Sequence, residues 1–124
     1  MLSVLAIDDS RTIRELVRRA LENAGMNVTT ADDGLDGVSS FGESAFDAVI
    51  TDINMPNLDG FGVIEAIRSG QRNTRVPILV LTTETGPELR ARARDAGATG
   101  WLTKPFDGAV LVRTLKRVTG APLS

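Results

Sequence analysis

The sequence VITDINMPNLDG, residues 49–60, begins with consecutive apolar residues and ends in a polar loop. An apolar run without alternation is typical of a strand that is buried on both faces, as in a parallel sheet. Asp52 follows where this strand should end, and a buried carboxylate is unfavourable unless it is paired, hydrogen-bonded or metal-bound. The stretch therefore predicts a parallel sheet. The role of Asp52 at the edge of that sheet remains to be explained.

Further short apolar runs are separated by segments with helical periodicity along the whole chain. The predicted strands are Ser3–Ile7, Asn27–Ala31, Phe46–Thr51, Ile78–Thr82 and Gly100–Leu102. The predicted helices cover Ile13–Ala24, Gly34–Phe41, Phe61–Ile67, Glu88–Ala96 and Leu111–Val118, with Gly25 and Gly97 as stop residues. This β-α alternation predicts one doubly wound α/β domain over residues 1–124, with no fused output domain.

Composition excludes several classes of chemistry. The chain has no cysteine and no histidine, which rules out disulfides, thiol catalysis, His-ligated zinc, a Ser-His-Asp triad and a phosphohistidine. A net charge of −2 gives no reason to expect nucleic-acid binding. No signal peptide or membrane-length apolar run is evident, so a cytoplasmic protein is expected. Carboxylates, hydroxyls and lysine are left to carry any reaction.

Polar side chains follow four of the predicted strands, and ligands of open α/β sheets bind at that edge. Asp8 and Asp9 follow the first strand, Asp52 the third, Thr82 closes the fourth, and Lys104 follows the fifth. In the flavodoxin-like strand order 2-1-3-4-5, strands one and three are neighbours at the switch point. Three carboxylates, a hydroxyl and an ammonium group are therefore expected close together.

Three clustered acids repel one another unless a cation neutralises them. Oxygen ligands without His or Cys select a hard cation such as Mg²⁺. A carboxylate beside Mg²⁺ and lysine can attack phosphorus and form an aspartyl phosphate. Asp52 is therefore a candidate phosphoryl acceptor.

The chain resembles a CheY-type response-regulator receiver domain over essentially its whole length. The matching motifs are DDS at Asp8–Ser10, TDINMPNLDG at Thr51–Gly60, LTTE at Leu81–Glu84 and KPF at Lys104–Phe106. CheY is itself a known example of the strand order used above. That order therefore rests partly on the family resemblance and not on the residues alone. The resemblance implies a phosphorylation-activated switch that signals by noncovalent binding and dephosphorylates itself.

The resemblance also assigns roles residue by residue. It implies Asp52 as the phosphoacceptor, with Mg²⁺ held by the side chains of Asp9 and Asp52, by the Asn54 carbonyl, and by Asp8 through water. Thr82 matches the switch hydroxyl, and Lys104, ahead of an implied cis Pro105, matches the lysine that contacts the phosphoryl group. Trp101 falls at the switch aromatic, where the family usually has Tyr or Phe.

The partners implied by the family are a histidine kinase or histidine phosphotransfer protein as donor and a downstream protein as target. The target is expected on the face formed by helix four, strand five and helix five, with the flagellar motor switch as one candidate. No nucleic-acid or membrane partner is expected, and the protein is expected to be a monomer.

Each of these assignments has a plainer alternative. Asp8, Asp9 and Ser10 are also favoured helix N-caps, and Asp52 is also a common turn residue. Two sets of arginines, Arg11, Arg14 and Arg18 in the first helix and Arg90, Arg92 and Arg94 in the fourth, form either solvated faces or docking patches for partners.

Two other functions stay open at this point. A Mg²⁺-dependent phosphohydrolase would turn over small phosphate esters, and TDIN resembles the D-x-D loop of haloacid-dehalogenase-like phosphatases. A flavodoxin-like module would bind FMN, although the glycine fingerprint for phosphate is absent after the first strand.

Overall fold

The apolar runs form one parallel sheet in the order β2-β1-β3-β4-β5, which confirms the predicted fold class and strand order. The computed structural model describes residues 1–122, so the last two residues of the expected 1–124 domain lie outside the described part. The strands are β1 (Ser3–Ile7), β2 (Asn27–Ala31), β3 (Ala48–Thr51), β4 (Ile78–Thr82) and β5 (Gly100–Thr103).

A helix follows each strand, and side chains or glycines define most of the helix ends. Ser10, Asp33, Asp59 and Asp107 each accept a backbone N–H bond as N-caps of α1, α2, α3 and α5. Gly97 ends α4 with a φ of 115°, a left-handed conformation that favours glycine. The helices are α1 (Arg11–Asn23), α2 (Gly34–Glu43), α3 (Gly60–Arg68), α4 (Pro87–Ala96) and α5 (Gly108–Thr119).

The predicted third strand begins two residues too early. Phe46 lies before β3 and is buried, with its ring stacked 6.2 Å from that of Phe41 on α2. Its apolar character therefore reflects packing of a loop residue and not strand pairing. The predicted fifth strand ends one residue too early, because Thr103 pairs with Thr82.

Two cores cover the two faces of the sheet. Helices α2, α3 and α4 pack on one face, against Ile78 and Val80 of β4 among others. Helices α1 and α5 pack on the other face, against Leu79 and Leu81. Because side chains alternate along a strand, Thr82 shares the α4 side with Val80. Trp101 also belongs to the core on this side.

The apolar stripe predicted for α1 is only partly buried. Val17 and Leu21 are buried under the sheet, but Leu16 is 45% exposed. Leu16 instead lines a groove between α1 and the loop that leads into α5, together with Ile13 and Phe106. Helical spacing identified the apolar residues but could not show that α5 leaves this edge of α1 uncovered. Among the described helices, none is long and apolar enough to cross a membrane.

Candidate functional site

The carboxyl edge of the sheet gathers the three acids predicted to lie together. Asp8, Asp9 and Asp52 each offer a carboxylate oxygen, and these oxygens lie within 4.8 Å of one another. Asp8 is 5% exposed and Asp52 8% exposed, whereas Asp9 faces solvent. Burial of two like charges so close together requires cations nearby.

Backbone pairing at the strand ends positions the two buried acids. Asp8 N–H donates to the Ala31 carbonyl at 3.1 Å, and Asp52 N–H donates to the Ile7 carbonyl at 3.1 Å. These bonds continue the ladders one step beyond β1 and β3. Both carboxylates are therefore fixed to the sheet itself and not to a free loop.

Lys104 contacts both buried acids and offsets one of their two negative charges. Its Nζ lies 2.8 Å from Asp8 Oδ2 and 2.8 Å from Asp52 Oδ2. Burial raises the pKa of Asp8, although hydrogen bonds from Lys104 and Ser10 partly oppose that rise. Burial also lowers the pKa of Lys104, but its bonds to Asp52 and Asp8 outweigh this and raise it overall. The lysine therefore stays charged beside Asp52.

The other oxygen of Asp52 and its main chain are also fixed. Oδ1 accepts the Ile53 N–H at 2.6 Å, and the Thr51 hydroxyl donates to the Asp52 carbonyl at 2.8 Å. Gly60, the first residue of α3, packs directly against that carbonyl, where a Cβ atom would clash. Asp59 therefore caps α3, and Gly60 allows the start of α3 to pack closely against the Asp52 carbonyl.

Thr82 lies at the end of β4 and is fully buried. Its Oγ1 accepts the Glu84 N–H at 3.4 Å, and its carbonyl accepts the Lys104 N–H at 2.8 Å. Trp101 is half-buried on the same side of the sheet. Its Nε1 is the one buried side-chain nitrogen or oxygen of residues 1–122 that has no hydrogen-bond partner.

Asn54, predicted as a metal ligand through its carbonyl, is exposed two residues after Asp52. Its side-chain amide donates to Glu84 Oε1 at 2.8 Å. This bond joins the loop after β3 to the loop after β4, on either side of the acids. The Lys104–Pro105 peptide bond is cis, as the family resemblance implies.

Sequence reasoning missed the role of Arg14. Its Nη1 donates to the Asp8 carbonyl at 2.8 Å and ties α1 to the acid-bearing loop. Arg18 instead bonds the Thr30 hydroxyl, and Arg11 is exposed. The spacing of these arginines predicted one face of α1, but only the tertiary contacts distinguish the member that reaches the site. The side chain of Ser10 caps the N-terminus of α1, and neither Asp8 nor Asp9 serves as its N-cap.

The arginines of α4 do not form a single face, which corrects the sequence interpretation. Arg90 and Arg94 lie one turn apart beside Trp101. The guanidinium of Arg92 instead lies over the Phe61 ring, 3.9 Å from its centroid. Residues two apart on a helix point in different directions, so the three could not share one surface.

Comparisons with known proteins agree with this fold. The family model of the response regulator receiver domain matches residues 4–116. Chemotaxis protein CheY-3 of Vibrio cholerae is 35% identical over 118 residues, covering 94% of this chain and 91% of that protein. The structure of chemotaxis protein CheY4 of Vibrio cholerae is 45% identical with a TM-score of 0.91, covering 95% of this chain and 98% of that one.

A further solved structure bears on the acidic cluster. The receiver domain of sensor histidine kinase PA1611 from Pseudomonas aeruginosa is 32% identical, with a TM-score of 0.89. It covers 97% of this chain and 98% of that one, and a magnesium ion is coordinated in its active-site cleft.

The five-stranded parallel sheet, with buried acids and a lysine at its carboxyl edge, has the architecture of a response-regulator receiver domain. The chain belongs to the response regulator receiver domain family, whose CheY-type members act in two-component and chemotaxis signalling. Of the three functions left open by the sequence, family membership favours the signalling switch.

Proposed function

We propose that Asp52 accepts a phosphoryl group from a phosphohistidine of a histidine kinase or histidine phosphotransfer protein. One observation carries this assignment: Asp52 is buried at the sheet edge, within 2.8 Å of Lys104 and clustered with two further acids. A carboxylate held in place beside a cation is a preorganised nucleophile. Asp59, in the same loop, is committed to capping α3 and offers no such environment.

The transfer exchanges one bond to phosphorus for another. An Asp52 carboxylate oxygen attacks phosphorus, a P–O bond forms, the P–N bond of the phosphohistidine breaks, and the imidazole leaves. Lys104 neutralises charge on the transferred group. In the reset, water attacks phosphorus, the acyl phosphate P–O bond breaks, and inorganic phosphate leaves with the Asp52 carboxylate restored.

The donor set fits a magnesium ion. The clustered donor atoms of Asp8, Asp9 and Asp52 are all oxygens, which suits a hard cation. These three residues, with the Asn54 carbonyl, would hold Mg²⁺ here, as a magnesium ion occupies the cleft of the PA1611 receiver domain. When bound, the ion supplies positive charge that offsets the charge of the transferring phosphoryl group.

The phosphodonor has a suitable surface beside the acids. The groove that contains Leu16 is lined mainly by apolar side chains of α1 and of the loop around Pro105 and Phe106. This loop directly follows Lys104, so a partner seated there lies next to Asp52. A donor domain with an apolar face around its phosphohistidine fits this groove.

The phosphorylation signal passes from the acid cluster through Thr82 to Trp101. Thr82 lies between the acid cluster and the core side shared with Trp101, so a shift of its hydroxyl toward a phosphoryl group changes packing under α4. The domain then signals by noncovalent binding through its α4, β5 and α5 face, and the flagellar motor switch is one candidate target.

The test is an intact-mass measurement after incubation with acetyl phosphate and Mg²⁺, repeated with EDTA. We expect one phosphoryl adduct, which is absent with EDTA and absent in Asp52→Asn. The matched control is Asp59→Asn, which removes an acid from the same loop and should keep the adduct. An adduct at wild-type level in Asp52→Asn would show that the acceptor is another residue.

A further inference from the structure

We infer that Arg14 is a positioning residue of the metal site, which sets the direction of the Asp9 carboxylate and thereby the affinity for Mg²⁺. Its Nη1 donates to the Asp8 carbonyl at 2.8 Å, and its side chain is half-buried. The inference rests on the proposed function, because it assigns a residue of α1 to the acidic cluster that would hold the metal.

Asp9 is the least supported of the three clustered acids. Lys104 donates to the carboxylates of both Asp8 and Asp52. The carboxylate of Asp8 also accepts the Ser10 N–H. The Asp9 side chain is exposed, and within residues 1–122 no group donates a hydrogen bond to it. Its direction therefore depends on how the main chain on either side of it is held.

A single peptide unit connects Arg14 to Asp9. The Asp8 carbonyl and the Asp9 N–H belong to one planar group, so a hydrogen bond that fixes the carbonyl also fixes the plane from which Asp9 begins. Ser10 fixes the other side, because its side chain caps α1 and its N–H donates to Asp8 Oδ1 at 2.9 Å. Asp9 lies between these two anchors, with a carboxylate oxygen within 4.8 Å of those of Asp8 and Asp52.

The acceptor that Arg14 uses suits this task. Guanidinium groups favour carboxylates, with which they can form two parallel hydrogen bonds. Arg14 nevertheless forms no ion pair with any acid of residues 1–122. It bonds a main-chain oxygen and leaves the carboxylate oxygens free for a metal. Lys104 is the opposite case, since its Nζ contacts oxygens of both Asp8 and Asp52.

Arg18 provides a comparison within the same helix. It lies one turn further along α1 and is also half-buried. Its Nη2 donates to the Thr30 hydroxyl at 3.1 Å, and its Nη1 lies 3.9 Å from Glu22 Oε2. Arg18 therefore joins α1 to β2 without a bond to the acid-bearing loop, so the two arginines share spacing and burial but differ in what they hold.

The experiment measures Mg²⁺ binding to the metal-free protein by isothermal titration calorimetry. Arg14→Met removes the donor, Arg14→Lys keeps the charge and a donor, and Arg18→Met is the control on the same helix. We expect the Kd for Mg²⁺ to rise about tenfold in Arg14→Met, as is typical when a group that orients a metal ligand is lost. The Kd should be intermediate in Arg14→Lys and unchanged in Arg18→Met. Circular dichroism confirms that each variant is folded.

The direction of the change separates positioning from charge. Removal of a positive charge near the acids would by itself strengthen the binding of a cation. Weaker binding by Arg14→Met therefore reports the lost hydrogen bond. In acetyl phosphate labelling, the Mg²⁺ concentration for half-maximal rate should rise by the same factor. The rate at saturating Mg²⁺ should approach that of wild type, because Arg14 bonds neither Asp52 nor Lys104.

Three results would overturn the inference: Mg²⁺ binding by Arg14→Met at or above wild-type affinity, an equal loss in Arg18→Met, or a labelling rate of Arg14→Met that stays low at saturating Mg²⁺. The titration needs no phosphodonor. If wild type acquires no phosphoryl adduct, the acceptor assignment fails, and the comparison of Mg²⁺ affinities still decides the role of Arg14.

Discussion

Lys104 Nζ and Asp52 Oδ2 are 2.8 Å apart, so the lysine contacts an oxygen of the proposed acceptor directly. The same ammonium group lies equally close to Asp8. Its single positive charge therefore offsets one of the two negative charges, and it would compete with a metal cation for the same oxygens. In the proposed transfer it would stabilise the phosphoryl group, so we expect this one residue to affect both metal binding and chemistry.

Replacing Lys104 should separate these two effects. In Lys104→Met we expect tighter Mg²⁺ binding, because the competing cation is gone, and slower labelling by acetyl phosphate, on the order of a hundredfold. Isothermal titration calorimetry measures Mg²⁺ binding, and intact mass measures labelling. Lys116→Met, which removes the other lysine from α5, is the control and should match wild type. Labelling of Lys104→Met at the wild-type rate would contradict the assigned role.

Asp8 should reduce the stability of the metal-free protein. Burial raises its pKa above the ordinary 3.8, so the folded state binds a proton more tightly than the unfolded state. The free energy of unfolding therefore falls as pH rises from 3.8 through the folded pKa, and the loss persists at neutral pH. In EDTA at pH 7 we expect Asp8→Asn to be more stable by up to about 1 kcal/mol, after allowance for solvent screening.

Urea unfolding at several pH values measures this effect. Added Mg²⁺ should stabilise wild type more than Asp8→Asn, because only binding to the folded state shifts the equilibrium. The difference between the two proteins should therefore shrink or reverse in Mg²⁺. A variant that is less stable than wild type in EDTA would show that the bonds from Lys104 and Ser10 outweigh the cost of burial.

Thr82 should transmit the signal without being needed for labelling. In Thr82→Ala we expect the phosphoryl adduct to form, while the accompanying change in Trp101 fluorescence is lost, because the hydroxyl that moves toward the phosphoryl group is missing. Its exposed neighbour Thr83 provides the control, since Thr83→Ala should retain both signals. A full fluorescence response in Thr82→Ala would mean that another residue carries the change to β5.

Arg68 should be important for the stability of the fold and not for phosphorylation of Asp52. Its guanidinium donates to the carbonyls of Thr74, Val76 and Gly97 at 2.6–3.0 Å, which joins the ends of α3 and α4. Removing it leaves several part-buried carbonyls without donors, and we expect Arg68→Met to lose on the order of 3 kcal/mol of unfolding free energy. Arg72→Met, which loses one exposed bond to Gly42, should change stability little.

Chemical denaturation of the two arginine variants gives this comparison, and acetyl phosphate labelling completes it. The folded fraction of Arg68→Met should be labelled like wild type. If Arg72→Met were destabilised as much as Arg68→Met, the three-carbonyl contact would not explain the result.

The sequence by itself determined the fold class and most of its elements. Apolar runs without alternation are typical of strands buried in a parallel sheet, and β1, β2 and β4 begin and end where the sequence predicts. Residues at strand ends of such a sheet share one edge, so Asp8, Asp9, Asp52 and Lys104 could be placed together in advance. The structure brings these four side chains together.

Only the tertiary structure decided which of several residues with the same helical spacing makes which contact. Arg14 and not Arg11 holds the acid-bearing loop, Arg92 turns away from its two neighbours, and Leu16 is left exposed. Periodicity gives the direction of a side chain around its own helix, but its partner belongs to another element. That partner is set by how the helices pack across the sheet, which depends on the whole chain at once.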